Sequence, residues 1–131
     1  MKKITAIGLI LMMTLIPAAG SVKAANSGTG VVGAALAWYY LYLHQNKTFS
    51  ELYNLSVQNG VDNDTLSLAH ELWLNASEEF KTALSYGSPQ QISRIRWLPF
   101  MMHVRRAYLT LMEANELLKK ALKEKGIEVP S

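Results

Sequence analysis

Four asparagine triplets are the residues of this chain whose type and spacing point most clearly to a chemical reaction. Asn46, Asn54, Asn63 and Asn75 are each followed two positions later by serine or threonine, with no proline between. This is the acceptor pattern for N-glycosylation, in which a sugar is joined to the asparagine amide. Roughly one such triplet is expected by chance. The alternative interpretation is that these asparagines serve turns and helix caps, which they also favour.

A group of basic residues offers a second kind of chemistry, the binding of an anion. Arg94, Arg96, Arg105 and Arg106 have no acidic residue between them. On a helical wheel Arg96, His103 and Arg106 share one polar side and are the candidate anion-binding residues. Arg94 and Arg105 lie on the other side, and we expect Arg105 to be partly buried and paired with an acidic residue from the first half of the chain.

Patterns of catalytic or metal-binding residues are absent from the sequence. The histidines His44, His70 and His103 have neither the Glu-x-x-His nor the His-Glu-x-x-His spacing, and there is no cysteine. Glu78 and Glu79 are interpreted as ordinary surface residues, because neighbours on a helix point about 100° apart. We therefore expect neither an enzyme nor a cofactor.

The first 24 residues have the pattern of an export signal. Lys2 and Lys3 precede an uncharged run over residues 4–19, and small residues follow at the positions that a signal peptidase reads, Val22 and Ala24. The run is shorter than the roughly 20 residues that span a bilayer. We predict a signal peptide over residues 1–24, with an uncleaved membrane anchor as the alternative.

Without that segment the chain has no net charge, because ten basic and ten acidic side chains remain. A protein that binds nucleic acid is expected to be basic, so this class of partner is not predicted. Charge is nevertheless separated along the sequence: residues 25–87 hold two basic and six acidic side chains, and residues 88–131 hold eight and four. We expect the two parts to neutralise each other within one bundle, with contact between molecules as the alternative.

The elements that carry these residues are predicted to be helices throughout. Apolar residues recur at helical spacing, which predicts an all-α, antiparallel up-down bundle of three long helices. The first helix ends before Gly60, the second begins after cap candidates at residues 62–65, and the third begins at Ser88-Pro89. Pro99 is expected to kink the third helix, giving four helices if it breaks it. The predicted organisation is a flexible segment at residues 25–30, one bundle domain at residues 31–126 and a short tail at residues 127–131.

The start of the first helix is the candidate interaction surface. Residues 31–43 are uncharged and strongly apolar, and small residues recur four apart. The candidates are Gly30, Gly33, Ala34, Ala37, Trp38, Tyr39 and Tyr40. This surface is expected to contact a second copy of the chain or another cell-envelope protein; the alternatives are burial in the bundle and association with a membrane, through residues 31–43 or an uncleaved signal.

Together these patterns predict an exported, N-glycosylated helical bundle at the cell surface, with a structural or protein-interaction role that includes self-assembly. An exported chain with acceptor triplets and no cysteine is typical of an archaeal cell surface. The alternative is an extracytoplasmic binding module for a small or anionic ligand.

Overall fold

Long helices separated by glycine-containing turns account for the fold, and the computed structural model describes residues 30–129. Helix α1 spans Gly30–Gln58, α2 spans Asn63–Leu84 and α3 spans Trp97–Glu124, with a short 3-10 helix at Pro89–Arg94. No strand occurs within residues 30–129. The prediction of an all-helical chain with three long helices packed together is confirmed. The predicted signal peptide and residues 25–29 of the predicted flexible segment lie outside the described residues.

The turn between α1 and α2 is fixed by local hydrogen bonds. Gly60 has a φ of +72°, a left-handed conformation that favours glycine. The N–H of Val61 donates to the carbonyl of Ser56 at 3.0 Å, which closes the helix end, and Val61 is buried. Asp62 then caps α2 by accepting from the N–H of Thr65 at 3.0 Å. This bond, with a second from the Thr65 hydroxyl, holds the pKa of Asp62 below its usual value.

The connection between α2 and α3 differs from the prediction at Pro99. The chain leaves helical geometry at Ile95 and Arg96, and α3 begins at Trp97, so Pro99 lies in the first turn of α3. A proline is tolerated there because the first N–H groups of a helix have no partner within it. The expected break therefore lies before Pro99 and separates α3 from the 3-10 helix. Gly87, with a φ of +137°, permits this close turn, since a Cβ there would lie 2.8 Å from the Cα of Ile95.

The buried apolar residues recur at helical spacing, every three or four residues on α3 and mostly every seven residues, or two turns, on α1 and α2. Helix α3 contributes the largest share and packs against both α1 and α2. Helix α2 buries only alanines, so its backbone can lie close to α3. The fully or nearly fully buried apolar residues are Ala35, Tyr42, Phe49 and Leu52 of α1, Ala69, Ala76 and Ala83 of α2, and Phe100, Val104, Ala107, Leu111, Ala114, Leu118 and Leu122 of α3.

Candidate functional site

Three of the four acceptor asparagines are exposed, and the fourth is held between helices. Asn54 and Asn75 lie on the outer sides of α1 and α2, and Asn63 is the first residue of α2. Asn46 is half-buried, and its Oδ1 accepts a hydrogen bond from the indole N–H of Trp73 at 2.7 Å. The expectation that Asn46 points well away from the core is wrong. Because α1 meets both other helices, its contact surface is wider than a single apolar stripe.

The hydroxyl residues of these triplets are turned away from their asparagines. Thr48 is 3% exposed and Ser56 is fully buried, whereas Thr65 donates its hydroxyl to the carboxylate of Asp62. Residues two apart on a helix point about 200° apart, so an exposed asparagine places the hydroxyl residue towards the core. In the folded bundle, the two triplets on α1 therefore do not form continuous surface sites, although acceptors usually occupy loops.

The aromatic residues at the start of α1 are drawn into the bundle. The ring of Trp38 lies 5.3 Å from that of Tyr108, between centroids, and the Arg105 guanidinium lies over Trp38 at 5.6 Å. Tyr39 stacks with Phe80 of α2 at 5.7 Å. The expectation that Arg105 is partly buried beside an acidic residue is wrong: Arg105 is exposed and its contact is a cation–π interaction with Trp38.

The remaining interaction candidates stay at least partly accessible. Gly30 and Tyr40 are exposed, and Tyr40 retains half of its accessible surface. The small residues Gly33, Ala34 and Ala37 are partly buried. The predicted surface is thus divided between residues that pack inside the bundle and residues that face outwards.

The predicted anion-binding residues lie in one polar cluster on α2, α3 and the connection between them. His103 Nδ1 lies 2.6 Å from Glu79 Oε2, and Arg106 donates to the same oxygen at 3.1 Å. The ring of Tyr86 stacks on that of His103, with 5.5 Å between centroids. The guanidinium carbon of Arg96 lies 5.2 Å from the centroid of the same tyrosine ring. We call these five residues the Glu79 cluster. Its centre is the carboxylate of Glu79, which already neutralises part of the positive charge that would attract an external anion.

Sequence reasoning missed the role of Glu79. The side chain of Glu79 is 24% exposed and joins α2 to α3, whereas its neighbour Glu78 is 75% exposed and pairs with Lys81 of the same helix at 3.6 Å. The interpretation of both as ordinary surface residues is correct for Glu78 and wrong for Glu79. The position of Glu79 in the sequence could have indicated this role, because it lies three residues after Ala76 and four before Ala83, at the edge of the buried alanine stripe.

A second polar feature lies inside the α1–α3 contact. Asn115 is fully buried, and its side-chain nitrogen donates to Oε1 of Gln45 at 2.6 Å and to the Gln45 carbonyl at 3.1 Å. Its Oδ1 and the Nε2 of His44 are buried without a hydrogen-bond partner among the described residues. Burial lowers the pKa of His44, and Lys47 lowers it further. The spacing from Leu111 to Asn115 to Leu118 follows the core pattern and could have identified Asn115 as buried.

The described residues contain no group of three or more side chains suited to hold a metal ion. Within the same part of the chain, no helix combines the length and the hydropathy that crossing a membrane requires.

Comparisons with known proteins give one partial similarity. No protein-family model matches the chain, and no solved structure matches it. A region covering 67% of the chain is 35% identical, over 91 residues, to pyrolysin of Pyrococcus furiosus. The same region amounts to 6% of pyrolysin. The chain is therefore similar to a small part of a much larger protein.

Proposed function

We propose that this chain is an exported helical-bundle module of the cell surface with a structural or protein-interaction role rather than a catalytic one. The observation that carries the proposal is the combination of an export pattern with a similarity to pyrolysin that covers 67% of this chain but 6% of that protein. A segment of this size that recurs inside a much larger protein is typical of a separately folding module. Surface attachment through residues 31–43 or an uncleaved signal is a variant of the proposal.

In this proposal the helices run up, down and up. Ring contacts between α1 and α2 support that order, since Tyr42 meets Phe80 whereas the later residue Tyr53 meets the earlier residue His70. The contacts between α1 and α3 support the same direction for these two helices, since Trp38 meets Tyr108 and the later residue Gln45 meets the later residue Asn115. Short connections between long helices favour this topology.

Sugars on Asn54, Asn63 and Asn75 are the second part of the proposal. Their exposure leaves room for a sugar outside the bundle. Because Thr48 and Ser56 are turned inwards, we propose that attachment on α1 precedes folding of the helix. Asn46 is half-buried and its amide is held against Trp73, so a sugar on its side-chain nitrogen would lack space, and we exclude Asn46 from the set.

Intact mass of the protein from its native host, measured together with size-exclusion chromatography, tests these proposals. We expect the mass of residues 25–131 plus sugar increments. Replacing Asn54, Asn63 or Asn75 with glutamine should each remove one increment, whereas Asn46→Gln should remove none. A bare mass that retains the N-terminal residues would contradict both cleavage and glycosylation and would favour a tethered bundle.

A second candidate function is an extracytoplasmic binding module for a small or anionic ligand. The Glu79 cluster favours it, because Arg96, His103 and Arg106 are joined at one surface through Tyr86 and Glu79. The test is thermal unfolding in sulfate, phosphate and a sugar acid. A rise in melting temperature that is lost in an Arg96→Ala/Arg106→Ala variant supports binding. No rise with any of the three anions excludes it for these ligands.

A further inference from the structure

Basic side chains are concentrated at the end of the bundle where the chain enters α1. In the proposed up, down and up order, α1 and α3 begin at this end and α2 ends there. Tyr42 of α1 stacks with Phe80 of α2 at 4.1 Å between centroids, so residues 30–42 and 80–109 make up one half of the bundle. We call it the basic half, because it holds five basic side chains and no acidic one. The five are Lys81, Arg94, Arg96, Arg105 and Arg106.

The other half of the described bundle has the opposite charge. Residues 43–79 and 110–129 hold five basic and ten acidic side chains. Glu79, at the boundary between the halves, accepts a hydrogen bond from Arg106. Arg94 and Arg96 lie beyond that boundary in the connection between α2 and α3, and both are exposed. The folded chain therefore has a charge dipole along its long axis, which turns the basic half towards a negatively charged surface.

The connection at the tip of the basic half is apolar as well as basic. Ile92 and Leu98 expose 55% and 54% of their surface, the two largest values among the large apolar residues that the structure describes. They flank the exposed Arg94 and Arg96. We call residues 92–98 the docking segment. Exposed apolar side chains beside arginines are typical of segments that lie on a lipid bilayer, where the apolar groups enter the headgroup region and the charges meet phosphates.

Two further features point to a bilayer as the partner. Trp97, within the docking segment, is partly exposed, and tryptophan is enriched at the depth of the lipid headgroups. The uncharged run of the predicted signal, residues 4–19, is separated from α1 by residues 20–29 alone, which reach at most about 35 Å when extended. When that run enters the membrane during export, the basic half is therefore the half of the bundle that is brought to the lipid.

We propose that the docking segment holds the bundle on the surface of a bilayer that contains anionic lipid. Ile92 and Leu98 enter the headgroup region, and the two arginines between them contact lipid phosphates. The inference rests on the proposed export of the chain and keeps the bundle at the membrane after the signal is removed. Head-to-tail contact between copies is disfavoured, because the opposite end carries Lys123 and Lys125 beside its acidic residues and offers no uniform negative surface.

Co-sedimentation of the exported protein with vesicles tests the proposal. We expect binding to vesicles of phosphatidylglycerol and phosphatidylcholine in equal parts, and much weaker binding to phosphatidylcholine alone. Arg94→Gln should weaken binding about fivefold and Arg94→Gln/Arg96→Gln about 25-fold. The single variant keeps the contact between Arg96 and Tyr86. The matched control, Lys120→Gln/Lys123→Gln, removes two charges from exposed positions about 30 Å further along α3 and should leave binding nearly unchanged, because salt screens charges at that distance.

Substitution of the apolar residues separates insertion from attraction by charge alone. Ile92→Gln/Leu98→Gln keeps the net charge and should weaken binding about tenfold, with a loss that persists in high salt. Val57→Gln/Leu68→Gln is the matched control, since these residues of the other half are 53% and 49% exposed, and it should bind as the natural chain does. Thermal unfolding of each variant establishes that the bundle remains folded.

Three outcomes overturn the inference. Equal binding by the natural chain and Arg94→Gln/Arg96→Gln shows that another part holds the lipid, such as an uncleaved signal. Binding to neither kind of vesicle excludes a lipid surface. Assembly without lipid that Arg94→Gln/Arg96→Gln abolishes assigns the docking segment to a second copy of the chain. The intact mass tests export separately, so the mass of residues 25–131 together with no vesicle binding rejects the docking segment and leaves the proposed export standing.

Discussion

The hydrogen bond between Asn46 and Trp73 gives a sharp test of whether an acceptor-type asparagine is a structural residue. Asn46→Ala removes the oxygen that accepts the indole N–H at 2.7 Å and leaves that partly buried donor without its partner. Losing a hydrogen bond while a buried partner remains costs about 1–3 kcal/mol, and the higher helix propensity of alanine returns up to about 0.7 kcal/mol. We therefore expect a net loss of about 1–2 kcal/mol, or a melting temperature lower by about 5–10 °C.

The assay is thermal and urea unfolding of protein from a host that adds no N-linked sugar. Asn54→Ala is the matched control, because Asn54 lies on the same helix with an exposed side chain; it should range from neutral to a stabilisation of about 0.7 kcal/mol, the gain in helix propensity alone. A double-mutant cycle with Trp73→Phe should give a coupling of about 1 kcal/mol. If Asn46→Ala is as mild as Asn54→Ala, or the coupling is below about 0.3 kcal/mol, the hydrogen bond does not stabilise the bundle and the reasoning fails.

Three further predictions concern backbone geometry, protonation and charge. Gly87→Ala should cost more than about 2 kcal/mol, because it combines a positive φ with a steric clash, whereas Gly60→Ala in open space should cost about 1 kcal/mol; urea unfolding compares them. Burial lowers the pKa of His44 in the folded chain. The contribution of His44 to stability is therefore complete above the pKa of the unfolded chain, about 6.5, and is lost as the pH falls through the folded pKa. His44→Phe should therefore gain stability relative to the natural chain between pH 7.5 and pH 5, and a constant difference over that range would contradict the prediction. Glu79→Gln should cost about 1 kcal/mol in low salt and less in high salt, and a salt-independent loss would show that charge is not the cause.

Features that depend on near neighbours in the sequence were predictable. The turn at Gly60 needed only a residue tolerant of left-handed geometry followed by an apolar one, and the cap at Asp62 needed only Thr65 three positions on. Both form within a few residues, so no knowledge of helix packing is required. The position of the helix break near Pro99 was harder to predict, because proline is compatible both with a break and with the first turn of a helix.

The helical wheel did not predict which side chains meet between helices. Asn46 and Glu79 lie at the edges of the apolar stripes, where a side chain either faces solvent or meets the neighbouring helix. The sequence does not specify how far apart the helix axes are, and that separation decides the outcome. Buried alanines bring α2 near α3, so the side chain of Glu79 reaches His103 instead of remaining in water.

Charges from the acidic and the basic part of the chain meet within a single molecule, at the contact between α2 and α3. Glu79 from the acidic part accepts from Arg106 of the basic part, and the positive charge of Lys125 contributes to the low pKa of Asp62. The ion pair of Glu79 with Arg106 agrees with the expectation that the two parts neutralise each other inside one bundle.

Neutralisation inside the bundle does not extend to the outer face of α3. Arg105 lies over an aromatic ring rather than beside a carboxylate, and Glu113 is exposed on the same helix four residues beyond Leu109. Eight residues separate these two charges, so they are more than two helical turns apart and do not meet within one α3.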